Sequence, residues 1–125
     1  MLNLRYRKLW LVASVVLVFG VIWGSLQTVM AEPRIHGFDK FEHFGTYLLL
    51  AVWFTGLFVR PRWWVIGAGL LGLGLAMEIA QYLMHAGRVA DVRDMAANTA
   101  GVLVGLLLAT LLTGGWAQRV ESWLE

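Results

Sequence analysis

The side chains able to do chemistry are few, and they sit where apolar runs should exclude them. Glu78-x-x-Gln81 lies well inside a run from Trp63 to Met84, with His85 four residues beyond Gln81. On a helix these three share a face. A second run opens with Asp39-Lys40-x-x-His43, and a third with Asp94 and, four residues on, Asn98. Arg88, Asp91 and Arg93 lie in the connection before Asp94. An intramembrane carboxylate costs a few kcal/mol unless paired, protonated or wetted, and is functional by default. Glu78 and His43 are therefore the candidates for a general acid and base. A guanidinium such as Arg88 suits a phosphate. Asp39, Lys40, Gln81, Asp94 and Asn98 complete a candidate ligand-binding set.

Plainer readings stand beside these. Asp39 and Asp94 fall at expected helix starts, where capping and the macrodipole favour a carboxylate regardless of function. Glu78 could fix packing through His43 or Arg88, Gln81 could serve as its hydrogen-bonding neighbour, and Arg88 could pair with Asp91 or Asp94. His36 and His85 read as interfacial. Asp39, His43, Glu78 and Asp94 could form a mixed oxygen and nitrogen metal site, but they come from separate elements, and we expect neither a metal nor a cofactor. The chain has no Cys, and Ser14 and Ser25 lie outside the cluster, so no nucleophile is in view.

The elements that must position these groups are membrane helices. Of the 125 residues, 59% are hydrophobic and 14% charged, against roughly 25% charged in a soluble domain. A mean hydropathy of +0.68 agrees. We expect one domain over residues 1–125, an all-α compact bundle of four transmembrane helices at about 9–30, 41–59, 63–85 and 95–113. Each is close to the ~20 residues that cross a ~30 Å hydrocarbon core. Arg60-Pro61-Arg62 is a tight turn, Gly114-Gly115 ends the last span, and a short amphipathic tail follows. Glu78 then lies roughly 10 Å below the outer surface. Trp10, Trp63, Trp64 and Trp116 read as interface belts.

Six of the ten Lys and Arg residues (Arg5, Arg7, Lys8, Arg60, Arg62, Arg119) fall on one side. The positive-inside rule makes that side cytoplasmic, so we expect a multi-pass protein of the bacterial inner membrane with both termini inside. A rival reading makes the first span a cleaved signal peptide ending near Val29-Met30-Ala31. Gly20-x-x-x-Gly24, Gly101-x-x-x-Gly105 and the glycines of the third span suit close helix packing, inside one bundle or alternatively in a homodimer. The net charge of +2 is small and its basic residues are scattered, so no nucleic-acid partner is expected.

Asp39-Lys40-x-x-His43, Glu78-x-x-Gln81, Arg88 and Asp94-x-x-x-Asn98-x-x-Gly101 together resemble the signature of the VanZ-like family of bacterial membrane proteins. The resemblance covers about residues 39–105. It implies a fold and a polar outer site more than a reaction. The family takes its name from a protein linked to resistance to teicoplanin, a glycopeptide antibiotic that binds cell-wall precursors outside the membrane. The expected function is accordingly to bind or mask a membrane lipid or lipid-linked cell-envelope intermediate in an outer-leaflet pocket. The alternatives are an intramembrane enzyme acting on such a lipid or glycan, with His43 as base and Glu78 as acid, or a transporter or flippase.

Overall fold

The computed structural model describes residues 1–30, 38–84 and 92–124, with side chains for 1–25, 41–83 and 93–124. Among these residues all regular structure is helical. The helices are α1 (Arg7–Met30), α2 (Phe38–Thr55), α3 (Trp63–Met84), α4 (Val92–Leu108) and α5 (Trp116–Leu124). A 3-10 turn over Arg60–Arg62 leads into α3, and a π-helical turn over Ala109–Thr113 prolongs α4. The expected second span thus starts earlier and stops at Thr55. Arg93, expected in a loop, lies in the first turn of α4.

Among the described residues the tail adds a fifth α-helix to the expected four, after Gly115, whose φ of 72° is one that glycine adopts without strain. Among the described residues, three stretches are long and apolar enough to cross a membrane: Arg7–Ser25, Arg60–Leu83 and Arg93–Thr113. α2 is not among them. Its 18 residues include Asp39, Lys40 and Glu42 in the first turns.

Leu9, Val12, Val16, Phe19 and Trp23 form an exposed apolar stripe down α1, and Leu103 and Leu107 of α4 with Leu111 of the π-helical turn form another. Water does not tolerate apolar patches of this length on a monomer. Lipid does, because each helix satisfies its own backbone. The surface is that of a membrane protein.

The core centres on α2 and α4, which run parallel and in close contact. Tyr47, Leu50, Ala51, Leu70 and Val102 form its buried heart. Gly101 and Gly105 make this approach feasible. A Cβ on Gly101 would strike the Phe44 carbonyl oxygen, and one on Gly105 would lie 2.5 Å from Ala51 Cβ. Gly20 and Gly24 behave differently: a Cβ on either meets nothing within 4 Å. The expectation that both motifs pack inside one bundle therefore holds for α4 and fails for α1.

α1 leans on α3 and meets α2 at one end. There Trp53 Nε1 donates to Ser14 Oγ at 2.8 Å, and Ser14 Oγ donates to the Trp10 carbonyl at 2.7 Å. From Val16 onward α1 and α2 line a cleft of about 850 Å³, so the bundle is open along one side where a compact one was expected.

The closed end is a clasp. Trp10, Trp53 and Trp116 pack edge to face, with ring centroids 5.2–6.0 Å apart. Gly56 leaves the hollow that the Trp116 indole fills, and Trp116 Nε1 donates to the Val52 carbonyl at 2.8 Å. Glu121 of α5 accepts from the N–H of Arg5 at 2.7 Å, the N–H of Tyr6 at 2.9 Å and Trp10 Nε1 at 2.7 Å. These backbone donors lie just before α1, so a distant carboxylate acts where a local N-cap would. Desolvation pushes the Glu121 carboxyl up, but the bonds from Tyr6, Trp10 and Arg5 and the Arg5 charge outweigh it and hold the group below its ordinary value.

Candidate functional site

At the opposite end from the clasp, α2, α3 and α4 bring polar side chains together. Asp94 is 0% exposed, Asn98 1%, Gln81 3% and Glu78 4%. Burial this complete of four polar groups at one depth requires that they satisfy one another or something brought to them.

His43 is the hinge of the group. Its Nδ1 lies 3.1 Å from Asn98 Oδ1, and its Nε2 lies 3.8 Å from Asp94 Oδ2. Asn98 Nδ2 points to Met95 Sδ at 3.9 Å. With Oδ1 as the acceptor, His43 Nδ1 is the protonated nitrogen and donates. The Nε2 separation is too long for a hydrogen bond. Both ring nitrogens are therefore turned toward α4. The four-residue spacing of Asp94 and Asn98 puts both on the helix face that Gly101 and Gly105 press against α2.

Gly74 of α3 keeps room for this arrangement. A Cβ there would lie 2.8 Å from Asn98 Nδ2 and 3.5 Å from Tyr47 Cζ. One turn further on, along the same face of α3, lies Glu78, 4% exposed. Gln81 reaches the other way, its Nε2 donating to the Ser25 carbonyl of α1 at 2.9 Å. Its Oε1 is buried and accepts no hydrogen bond among the described residues, a situation that costs ~1–3 kcal/mol where nothing relieves it.

The cleft runs up to this cluster. Val16, Leu17, Val21 and Leu49 supply apolar wall, Gly20, Gly24 and Gly45 leave it wide, and Glu42, His43 and Gln81 lie at its polar end. It is long, apolar and laterally placed, with hydrogen-bonding groups gathered at one extremity. That is the shape and polarity of an amphiphile.

Of the residues singled out by sequence, His43, Glu78, Gln81, Asp94 and Asn98 converge. Asp39 and Lys40 fall in the first turn of α2, one to two turns from this cluster, with side chains outside the described residues. Arg88, His85, His36 and Asp91 also lie outside them. No group of three His, Cys, Asp or Glu side chains able to hold a metal occurs among the described residues. Sequence reasoning passed over Glu42 and Tyr47. Tyr47 continues the Asp39–His43 stripe at the same four-residue step, a signal that was available. Ser25, expected to lie outside the cluster, touches it through its carbonyl.

The model of the family described as VanZ/LLP1 matches residues 4–113. That span takes in every converging residue and both walls of the cleft. No curated protein and no solved structure matches the chain. The family model spans most of the sequence, and the chain belongs to the VanZ/LLP1 family.

Proposed function

We propose that this chain is a four-span protein of the bacterial inner membrane that binds or masks a lipid or lipid-linked cell-envelope component. The observation that carries the reading is the cleft between α1 and α2, apolar along its length and polar where it reaches His43 and Gln81. α2 supplies the fourth span. Its 18 residues rise about 27 Å as helix, and its charges gather at one end, where headgroups can solvate them. Arg5, Arg7, Lys8, Arg60, Arg62 and Arg119 all lie at the clasp end, which the positive-inside rule makes cytoplasmic. The polar end of the cleft then opens to the outer leaflet, where a glycopeptide would find its target.

Binding fits the geometry better than catalysis. A general base must aim a nitrogen at its substrate, and both nitrogens of His43 are turned toward Asn98 and Asp94. The role of His43 is to shape the polar end, with Asp94 and Asn98 fixing its ring. Masking of an external glycopeptide's target would follow from holding a lipid-linked precursor there.

The absence of native Cys gives a clean test. Gly24→Cys places a thiol on the cleft wall, and Gly72→Cys places one outside the cleft; a Cβ at either site meets nothing within 4 Å. In gently extracted protein, maleimide should label Gly24→Cys more slowly than in exhaustively delipidated protein, while Gly72→Cys changes little. Equal changes at both positions would contradict an occupied cleft.

A further inference from the structure

The clasp end carries a recess of its own, of about 400 Å³, bordered by Arg60, Trp63, the π-helical turn and Arg119 of α5. Two guanidiniums line it, and each is held by a neutral group. Trp63 is fixed first. Its Nε1 donates to the Phe58 carbonyl at 3.1 Å, and its ring packs so close to Gly114 that a Cβ there would lie 2.9 Å away. Arg60 lies over that ring, 5.2 Å from its centroid, which covers the guanidinium face and leaves its N–H edge open. Arg119 donates through Nη2 to the Leu112 carbonyl at 3.0 Å, which leaves its other N–H groups free. No carboxylate lines the recess, and neither guanidinium has an ion pair among the described residues. Two whole positive charges therefore border one recess.

The rest of the wall says what those charges would meet. Leu111 and Leu112 line the recess while 72% and 71% exposed. From Leu111 the exposed apolar surface continues along α4 through Leu107 and Leu103. A cationic recess that runs into a lipid-facing stripe is complementary to a phosphate joined to an alkyl chain.

We propose that this recess is a second lipid site, which takes the phosphate of an anionic phospholipid between Arg60 and Arg119 and lays one of its chains along Leu111, Leu107 and Leu103. It is separate from the cleft at His43 and does not rest on the reading of that cleft. Guanidinium N–H groups suit phosphate oxygens. A zwitterionic lipid brings an ammonium of its own beside two cations, whereas an anionic lipid does not, so the site selects net negative charge. Both arginines are exposed. Lipid here exchanges with the surrounding leaflet and is not carried through extraction, so the test is made in the bilayer.

Leu107→Cys supplies a unique thiol in a chain without native Cys, 57% exposed and outside the recess. It is labelled with bimane, and the full chain is reconstituted in phosphatidylcholine with graded fractions of phosphatidylglycerol. A nitroxide on one acyl chain of either lipid quenches the bimane, and the dependence on mole fraction gives the local preference between the two lipids. Phosphatidylglycerol should be preferred about twentyfold, and Arg60→Gln or Arg119→Gln should each lower that preference about fivefold, which is what one basic side chain contributes beside an anionic leaflet. Arg7→Gln removes the same charge away from the recess and should leave the preference unchanged. Replacing chloride by inorganic phosphate at equal ionic strength should also leave it unchanged, because free phosphate has no chain to lay on α4.

An equal loss in Arg7→Gln would mean diffuse attraction to the basic end, and would overturn the proposal. So would a preference that survives in both Arg60→Gln and Arg119→Gln. Loss in phosphate but not in chloride would mean that the recess takes free phosphate and not a lipid. None of these results bears on the cleft at the other end.

Discussion

Asn98 holds the His43 ring at 3.1 Å while almost wholly buried between α2, α3 and α4. Its removal leaves the half-buried imidazole, 20% exposed, without its acceptor. Asn98→Leu should lower stability by about 1–3 kcal/mol, read as a shift in detergent-denaturation midpoint. Gly74→Ala should act in the same direction, because the added methyl lands 2.8 Å from Asn98 Nδ2. A neutral outcome for both would remove Asn98 as the organiser of the polar end. Glu121 supports a pH prediction at the other end of the molecule. Its carboxyl sits below the ordinary value of 4.5, so its contribution is present above that value and is lost as pH falls through the lower, folded one. Tryptophan fluorescence should report loosening of the clasp below about pH 4.5 in wild type. Glu121→Gln should already be loosened at neutral pH and show no such transition.

Between elements, the decisive contact is α4 against α2. Gly101 lies against the Phe44 carbonyl, and Gly105 against Ala51. Gly101→Ala should cost about 1–3 kcal/mol through overpacking, while Gly20→Ala and Gly24→Ala should be neutral or slightly stabilising, since helical glycine is the poorer choice where space is free. Thermal unfolding of the three variants side by side checks this. The contrast also shows where sequence reading runs out. Both motifs have the same four-residue spacing, and spacing says which residues share a face but not what that face meets. Helix positions were legible because apolar runs and their breaks are local. The end of α2 was not, because the apolar run continues through Leu57, Phe58 and Val59 although the helix stops at Thr55.

At the scale of the whole molecule, two polar ends face opposite ways. The cluster around His43 was readable in outline, because buried polar residues at helical spacing stand out against an apolar background. The clasp was not. It joins Glu121 to Arg5 and Tyr6 across more than 110 positions, and nothing local in the tail marks Glu121 as a cap for a helix that distant. The cleft was equally hidden, since it exists through the divergence of α1 from α2. The clasp fixes that divergence by holding the two helices together at one end. Residues that line the opening, such as Glu42, gained a role that polarity alone did not suggest.

The central claim is that the open side of the bundle holds a lipid. Native mass spectrometry of the intact protein released from its own membrane tests it most directly. Wild type should carry one lipid adduct per chain, and Gly20→Leu should release bare protein of unchanged stability. Wild-type protein that emerges bare under gentle extraction, or an adduct equally held when Gly20 carries a leucine, would contradict the account.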